Sequence, residues 1–145
     1  MMRVVVVDDY PLVRASIRNE LQAAGIEVVG EAADGEEALC LVERLRPDVL
    51  VLDVEMPKLN GVEVARHLKA KGKQRDHPPR ILALSAYNNE GYILGLLDAG
   101  AMGYVLKDEA LETIVLAVQT TARGQPWLSP SLVPMIKNRV AQGNP

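Results

Sequence analysis

The sequence predicts an α/β domain in which helices cover both faces of a parallel β-sheet. Short apolar segments alternate with longer segments of helical periodicity along most of the chain. The apolar segments contain few polar residues before their ends, which is typical of strands buried on both faces. With 145 residues, 48% of them hydrophobic, the chain is long enough for one domain with a sizeable core.

Five β-α units follow one another in the sequence. Their strands are predicted at residues 3–8, 26–32, 48–53, 80–84 and 102–106. Their helices are predicted at residues 11–24, 34–46, 61–71, 89–99 and 111–123. A polar connector at residues 71–79 precedes the fourth strand.

Local signals support several of these helices. Pro11 suits the first turn of the first helix. Asp34 can cap the second helix, which is expected to end before Pro47. The fourth helix contains Gly91 and Gly95, each of which costs a helix about 1 kcal/mol relative to alanine. These glycines indicate either a helix that moves easily or close packing against a neighbour.

Helical spacing also predicts which side chains face the core. Leu12 shares the spacing of Ile17 and Leu21 in the first helix. In the fifth helix the residues expected to point inward are Leu111, Ile114, Val115 and Val118. Cys40, in the second helix, is expected in the core or at its boundary. It is the sole cysteine, so the chain can form neither an internal disulfide nor a cysteine metal cluster.

Charge and hydropathy exclude several classes of function. The net charge is -3, so no basic surface favours direct binding to nucleic acid. The valine run after Arg3 is too short for a signal sequence, and no apolar run reaches the roughly 18 residues of a membrane span. A soluble, cytoplasmic protein without a membrane segment is therefore expected.

Polar residues stand at the carboxyl ends of the predicted strands. Asp8 and Asp9 end the first strand, Asp53 the third and Ser85 the fourth, and Lys107 follows the fifth. Taken alone, each is more often a helix cap, a turn residue or a surface charge. Ligands of such sheets bind beyond the carboxyl ends of the strands, so these side chains are expected to converge at one edge.

The expected cluster has the composition of a phosphoryl-transfer site. Three neighbouring carboxylates repel one another, so they share protons or bind a cation, and Mg²⁺ suits an all-oxygen site open to water. Lys107 and Ser85 can contact phosphoryl oxygens. No histidine or cysteine is expected nearby, so the nucleophile is predicted to be a carboxylate. Asp53 is the candidate because its strand is expected to be central.

The joint pattern of these residues resembles the receiver domain of two-component response regulators. The matching residues are Asp8-Asp9, Asp53, Met56-Pro57, Gly61, Ser85-Ala86, Tyr104 and Lys107. The resemblance covers residues 3–123 and implies a flavodoxin-like (βα)5 fold with strand order 2-1-3-4-5. Asp108 directly follows Lys107, which points to the NarL/FixJ (LuxR-type) subfamily.

The resemblance also implies a role for each residue of the site. Asp53 would accept a phosphoryl group from the phosphohistidine of a sensor histidine kinase. Asp9, Asp53 and the backbone carbonyl of Glu55 would bind Mg²⁺, while Asp8 would act through water. Lys107 would contact the phosphoryl group. The chain would thus catalyse its own phosphorylation and dephosphorylation without turning over an external metabolite.

Further residues would transmit and time the signal. Ser85 would move toward the phosphoryl group, and Tyr104 would turn inward into the space that the hydroxyl leaves. The change would reach the face formed by the fourth helix, the fifth strand and the fifth helix. Glu55 and Tyr87 occupy positions that tune the lifetime of the phosphoryl group in the family. A homodimer is expected on phosphorylation, formed through the first and fifth helices or through the fourth helix and fifth strand.

The sequence after the fifth helix departs from the repeating pattern. We assign residues 1–124 to the receiver and residues 125–145 to a linker with a helical tail. The stretch GQPWLSPSL, residues 124–132, resembles the passage toward a helix-turn-helix domain in NarL/FixJ regulators. DNA contact is expected only through such an output domain, which this chain lacks. The alternatives are a receiver fragment of a transcription regulator and a single-domain receiver that acts through protein contacts.

Three other functions are weighed against this interpretation. A haloacid-dehalogenase-like phosphatase also uses a strand-end aspartate and Mg²⁺, but its first strand should carry Asp-x-Asp, and Tyr10 stands at the third position. A nucleotide-binding enzyme would need a glycine-rich loop after the first strand. An interaction module independent of phosphorylation would tolerate loss of Asp9, Asp53 or Lys107, all of which are present.

Overall fold

In a computed structural model, parallel strands form one sheet with helices on both faces. The structure describes residues 2–56, 58–72, 78–86 and 90–134, without the side chains of residues 72 and 92. The strands are β1 (Arg3–Val7), β2 (Glu27–Ala32), β3 (Val49–Asp53), β4 (Arg80–Ser85), β5 (Gly103–Leu106) and β6 (Trp127–Leu128). The helices are α1 (Pro11–Ala23), α2 (Gly35–Leu45), α3 (Gly61–Gly72), α4 (Glu90–Asp98) and α5 (Ala110–Ala122).

The strand order of the sheet is β2-β1-β3-β4-β5-β6, with parallel pairing throughout. The predicted flavodoxin-like order 2-1-3-4-5 is therefore confirmed, with β6 added at the edge. The sequence assigns β6 to a linker, because a two-residue strand carries no detectable periodicity. The helical tail expected beyond it lies mostly outside the described residues, which end at residue 134.

Two apolar layers hold the sheet between its helices. Alternate strand residues such as Val4 and Val6 face α1 and α5, where they pack with Ile17, Leu21 and Ile114. The intervening strand residues face α2, α3 and α4 and form the other cluster. Because the central strands are buried on both sides, they read as continuous apolar runs in the sequence.

Side-chain capping fixes the start of two helices. Asp34 accepts a hydrogen bond from the backbone N–H of Glu37 at 2.9 Å, as predicted, and Glu37 accepts from the N–H of Ala33 at 3.1 Å. At the start of α3 the bonds are reciprocal: the N–H of Glu63 donates to Oδ1 of Asn60 at 2.9 Å, and the N–H of Asn60 donates to Oε1 of Glu63 at 3.2 Å. The bonds between Asn60 and Glu63 fix the residue at which the loop after Asp53 ends and α3 begins.

Three expectations about burial were wrong. Leu12 is 80% exposed and Leu111 is 52% exposed, because the buried stripes of α1 and α5 run through the neighbouring residues Val13 and Ala110. Cys40 is exposed because Ala38, Leu41 and Val42 take up the buried face of α2. Periodicity thus identified each of these helices correctly but assigned one residue at the edge of the buried face wrongly.

The structure also bears on the glycines of α4, for which the sequence left easy movement and close packing open, and on membrane-spanning helices. A Cβ atom on Gly95 would meet no atom within 4 Å, so close packing does not explain this glycine among the described residues. The part of the chain that the structure describes contains no helix with the length and apolar character needed to cross a bilayer.

Candidate functional site

Two strand ends bring Asp8 and Asp53 together. β1 and β3 pair with Val7 opposite Leu52, so the residues that follow each lie side by side at the carboxyl edge. Asp53 is the last residue of β3, and both carboxylates are fully buried. The expectation that Asp53 occupies a central strand is met, because β3 lies between β1 and β4.

Lys107 reaches this pair from the far side of β4. It begins a 3-10 turn, residues 107–109, directly after β5. Its Nζ lies 3.2 Å from Oδ2 of Asp8 and 3.2 Å from Oδ2 of Asp53. The side chain is 19% exposed, so the ion pairs are shielded from most of the solvent.

The remaining carboxylate oxygens of the pair accept backbone hydrogen bonds. Oδ1 of Asp8 accepts from the N–H of Tyr10 at 2.8 Å, and Oδ1 of Asp53 accepts from the N–H of Glu55 at 3.2 Å. The Oδ2 atoms of both residues have only the ionic contact with Lys107 and no hydrogen bond within the described residues. Each of these oxygens can therefore take up a further ligand or proton.

Burial and charge set the protonation of the cluster. Burial and then the charge of Asp8 raise the pKa of Asp53, while Lys107 lowers it, and the net effect is a pKa of about 7. Burial lowers the pKa of Lys107, but the charges of Asp53 and Asp8 outweigh it and raise that pKa overall. Lys107 is therefore a fixed cation, and Asp53 is the carboxylate whose charge depends on its surroundings.

The acidic residues fit a divalent cation. Asp8, Asp9 and Asp53 each offer a carboxylate oxygen, and these oxygens lie within 4.8 Å of one another. Oδ1 of Asp9 is buried and has no hydrogen-bond partner among the described residues. One lysine offsets only part of the negative charge. Hard oxygen ligands with uncompensated charge are the environment that Mg²⁺ prefers.

The remaining predicted residues, apart from Tyr87, lie on or directly after the strands next to this cluster. Ser85 ends β4, is fully buried and pairs with Leu106 of β5. Tyr104 is fully buried within β5 in the cluster that contacts α4. Glu55 is half-buried two residues after Asp53. Tyr87 lies outside the described residues.

Sequence reasoning missed two contacts at the site. The ring of Tyr10, which is 62% exposed, lies 5.2 Å from the ammonium of Lys107. Nη1 of Arg14 donates to the backbone carbonyl of Asp8 at 2.8 Å. The position of Tyr10 beside Asp9 indicated that it lies near the site. No sequence pattern reveals where its ring points.

The family model for the response regulator receiver domain matches residues 4–119. The regulatory protein DegU of Brevibacillus brevis is 36% identical over 90% of this chain and 54% of its own length. GacA of Pseudomonas viridiflava is 39% identical over 91% of this chain and 60% of its own. The chain thus spans between half and two thirds of the length of these curated relatives.

Solved structures give the same result. The signal receiver domain of NarL from Mycobacterium tuberculosis is 39% identical, covers 86% of this chain and 98% of its own, and superposes with a TM-score of 0.80. A LuxR-family two-component response regulator from Aurantimonas is 32% identical over 95% of this chain and 97% of its own, with a TM-score of 0.86. These relatives also confirm the predicted resemblance to the NarL/FixJ subfamily. The chain belongs to the receiver domain family of two-component response regulators.

Proposed function

We propose that this receiver is a phosphorylation-dependent switch in which Asp53 accepts a phosphoryl group from the phosphohistidine of a sensor histidine kinase. The observation that carries the proposal is the contact of the buried Asp53 carboxylate with Lys107 at the open edge of the sheet. A buried carboxylate beside a fixed cation is a nucleophile whose product, an acyl phosphate, the same cation stabilises.

The transfer requires only groups that lie at this edge. A carboxylate oxygen of Asp53 forms a bond to phosphorus while the bond from phosphorus to the histidine nitrogen breaks. The bonding electrons stay on the imidazole, which takes up a proton from water. Hydrolysis reverses the state of the switch, because water attacks phosphorus, releases inorganic phosphate and restores the carboxylate.

Charge compensation is the main contribution of the surrounding residues. Lys107 holds a phosphoryl oxygen as a point charge. Asp9, Asp53 and the backbone carbonyl of Glu55 would hold Mg²⁺, with Asp8 acting through water. When bound, Mg²⁺ neutralises charge that builds up on the transferred oxygens. The short contact between Asp8 and Lys107 keeps the ammonium group turned toward Asp53.

The signal leaves the site through β4 and β5. Ser85 moves toward the phosphoryl group and donates a hydrogen bond, worth roughly 1.5–3 kcal/mol to a charged acceptor. Tyr104 follows, and the face of α4, β5 and α5 is rearranged. In support, Tyr104 packs in one cluster with Ile93 and Leu96 of α4. Glu55 and Tyr87 tune how long the phosphoryl group survives.

The output that we propose is control of transcription. In support, the relative DegU is a transcriptional regulatory protein, and its match to this chain covers 54% of its length. We infer that the receiver pairs with a second copy on phosphorylation and reaches DNA only through a separate output domain. The alternative is a stand-alone receiver that acts by binding another protein.

Phosphorylation by a small donor tests the proposal directly. The protein is incubated with acetyl phosphate and Mg²⁺, and its intact mass is followed over time. We expect the mass to increase by one phosphoryl group, and we expect Asp53→Asn, which keeps the shape of the side chain, to stay unlabelled. Equal labelling of Asp53→Asn would disprove the assignment of the nucleophile. Continuous turnover of phosphomonoesters would instead support the phosphatase.

A further inference from the structure

The stretch after α5 is part of the sheet and runs beside the strand that leads to Lys107. β6 pairs in parallel with β5. The backbone N–H of Ser129 then donates to the carbonyl oxygen of Tyr104 at 3.0 Å. The pairing thus continues past β6 toward the active edge.

The hydroxyl of Ser129 takes over where the backbone of β6 ends. Its Oγ accepts a hydrogen bond from the N–H of Leu106 at 2.9 Å. Ser129 is fully buried and Leu106 is 7% exposed, so water cannot easily replace this acceptor. The next residue, Pro130, starts a 3-10 turn that carries the backbone away from β5. A side-chain oxygen therefore satisfies the last N–H of the strand.

The same segment also contacts the residues that follow Lys107. Oγ of Ser131 donates to Oε1 of Glu109 at 2.7 Å. Leu132 is 1% exposed and packs in the cluster that contains Tyr104 and Leu106. The chain from Ser129 to Leu132 thus holds β5 and the turn after it on both sides of the lysine.

We infer that Ser129 is a positioning residue for Lys107. It fixes the strand end from which Lys107 reaches the carboxylates of Asp8 and Asp53 at 3.2 Å. The inference rests on the proposed function, in which Lys107 contacts the transferred phosphoryl group. A small displacement of the strand end moves the ammonium group away from the reacting oxygens and slows the transfer. We expect donor binding to depend less on the hydrogen bond between Leu106 and Ser129, since this bond involves the backbone of the residue before Lys107.

Two variants of the 145-residue chain test the inference. Ser129→Ala removes the acceptor, and Ser129→Cys replaces it with a weaker one of similar size. Labelling by acetyl phosphate with Mg²⁺ is followed by intact mass at a series of donor concentrations. We expect Ser129→Ala to lower the saturating rate roughly tenfold, with Ser129→Cys intermediate. The donor concentration for half the maximal rate should change less than roughly twofold.

The matched control separates positioning from stability. Val28→Ala removes methyl groups from the cluster beneath α1 and α5, in β2, and leaves the end of β5 untouched. It should lower the midpoint of urea unfolding while its saturating rate stays at the wild-type value. Relative to other core amides of the same protein, hydrogen exchange at Leu106 should accelerate in Ser129→Ala and not in Val28→Ala.

The outcomes are distinguishable. If the wild-type protein is labelled and both Ser129 variants are labelled at the wild-type saturating rate, the residue is merely structural and the inference is overturned. If Ser129→Ala does not fold, the rate of Ser129→Cys decides alone. A wild-type protein that takes up no phosphoryl group overturns the proposed function and, with it, this inference.

Discussion

At the scale of single residues, four opposing influences set the pKa of Asp53. Burial and the neighbouring Asp8 raise its pKa, Lys107 and the N–H of Glu55 lower it, and the net value is about 7. The fold therefore maintains a carboxyl group that can hold a proton near neutrality until a cation arrives. A surface aspartate, with its ordinary pKa, would not be sensitive in this way.

This balance predicts that Mg²⁺ binding depends on pH. Between the ordinary pKa of an aspartate and about 7, metal-free Asp53 holds a proton in the folded state that it lacks in the unfolded state. Its contribution to the free energy of unfolding therefore falls as pH rises through this window. Mg²⁺ must displace the proton, so its affinity should rise about tenfold per pH unit and level off above pH 7. Calorimetric titrations between about pH 5.5 and about pH 8.5 measure this.

The control for the pH dependence is the isosteric variant Asp53→Asn. It cannot release a proton at this position, so its weaker Mg²⁺ affinity should show a smaller slope below pH 7. A wild-type affinity that stays constant across the whole range would contradict the protonated state of metal-free Asp53.

Residue identities at the site could be predicted because strand ends are readable. Asp8, Asp53 and Ser85 each follow an apolar run, and the topology of a parallel sheet brings such positions together. The contact of Tyr10 with Lys107 could not be predicted, since it depends on the rotamer of an exposed ring. The hydrogen bond from the N–H of Leu106 to Ser129 could not be predicted either, because it joins segments whose pairing leaves no periodic pattern in the sequence.

At the scale of elements, the loop from β3 to α3 is held tightly against the site. The N–H of Gly61 donates to the carbonyl oxygen of Val54 at 2.7 Å. A Cβ atom on Gly61 would lie 2.7 Å from the carbonyl oxygen of Asp53 and 2.7 Å from Cα of Val54. Both are backbone atoms that cannot rotate away. The glycine of the sequence motif is thus required by the close approach of the backbone.

Gly61→Ala should therefore disturb the site. We expect the added methyl group to push α3 away from the end of β3 and to lower the free energy of unfolding by about 1–3 kcal/mol. Labelling of Asp53 by acetyl phosphate should slow at the same time. Urea unfolding and intact mass measure the two effects.

Gly95→Ala provides a control in the opposite direction. Its Cβ would meet no described atom within 4 Å, so helix propensity alone should act and stabilise the protein by about 1 kcal/mol. If Gly61→Ala were as harmless as Gly95→Ala, the close approach at Gly61 would not constrain the loop.

Element types were predictable where periodicity was long, and side-chain burial was less so. The strands of the five β-α units and all their helices follow from alternation of apolar and amphipathic runs. Leu12 and Leu111 were misplaced because each lies in the first turn of a helix, where one residue of offset turns a side chain from the sheet to the solvent. Neighbouring helices, which decide this offset, are not visible in one helix alone.

At the scale of the whole molecule, the folded unit extends beyond the last helix. Leu132 is buried in the same core cluster as the central strands. Leu132→Ala should lower the free energy of unfolding by about 2–4 kcal/mol. Truncation after Gly124 removes β6, Ser129 and Leu132 together and should destabilise the protein at least as much. Urea unfolding of both proteins measures these effects.

Leu12→Ala is the matched control for the leucine substitution. Leu12 is 80% exposed, so its truncation should change the free energy of unfolding by less than about 0.5 kcal/mol. Equal stability of the truncated and complete chains would show that the domain ends at residue 124 after all.

Exposed leucines favour the dimer surface formed by α1 and α5 over the one formed by α4 and β5. Leu111 and Leu116 of α5 are each 52% exposed, and α5 packs beside α1, which presents Leu12. The edge of β5 is covered by β6, which leaves the alternative surface less accessible. With fluoroberyllate and Mg²⁺, sedimentation should therefore show dimers. Leu111→Ala with Leu116→Ala should weaken dimerisation about tenfold or more.

The dimer experiment needs a control on another face. Glu36→Ala changes an exposed residue at the start of α2 and should leave dimerisation unchanged. If the double leucine variant forms dimers as readily as the wild-type protein, the interface is instead assigned to α4 and β5.

The short strand β6 also has a consequence for solubility at high concentration. An uncovered strand edge offers free N–H and C=O groups to other chains and so promotes intermolecular β-pairing and aggregation. β6 occupies the outer edge of β5 but is only two residues long, and Pro130, which has no N–H, follows soon after it. Among the described residues, the sheet therefore ends at this side in a strand too short to pair stably with another chain. We expect the WLSP sequence, residues 127–130, to prevent strands of other chains from pairing with this edge of the sheet.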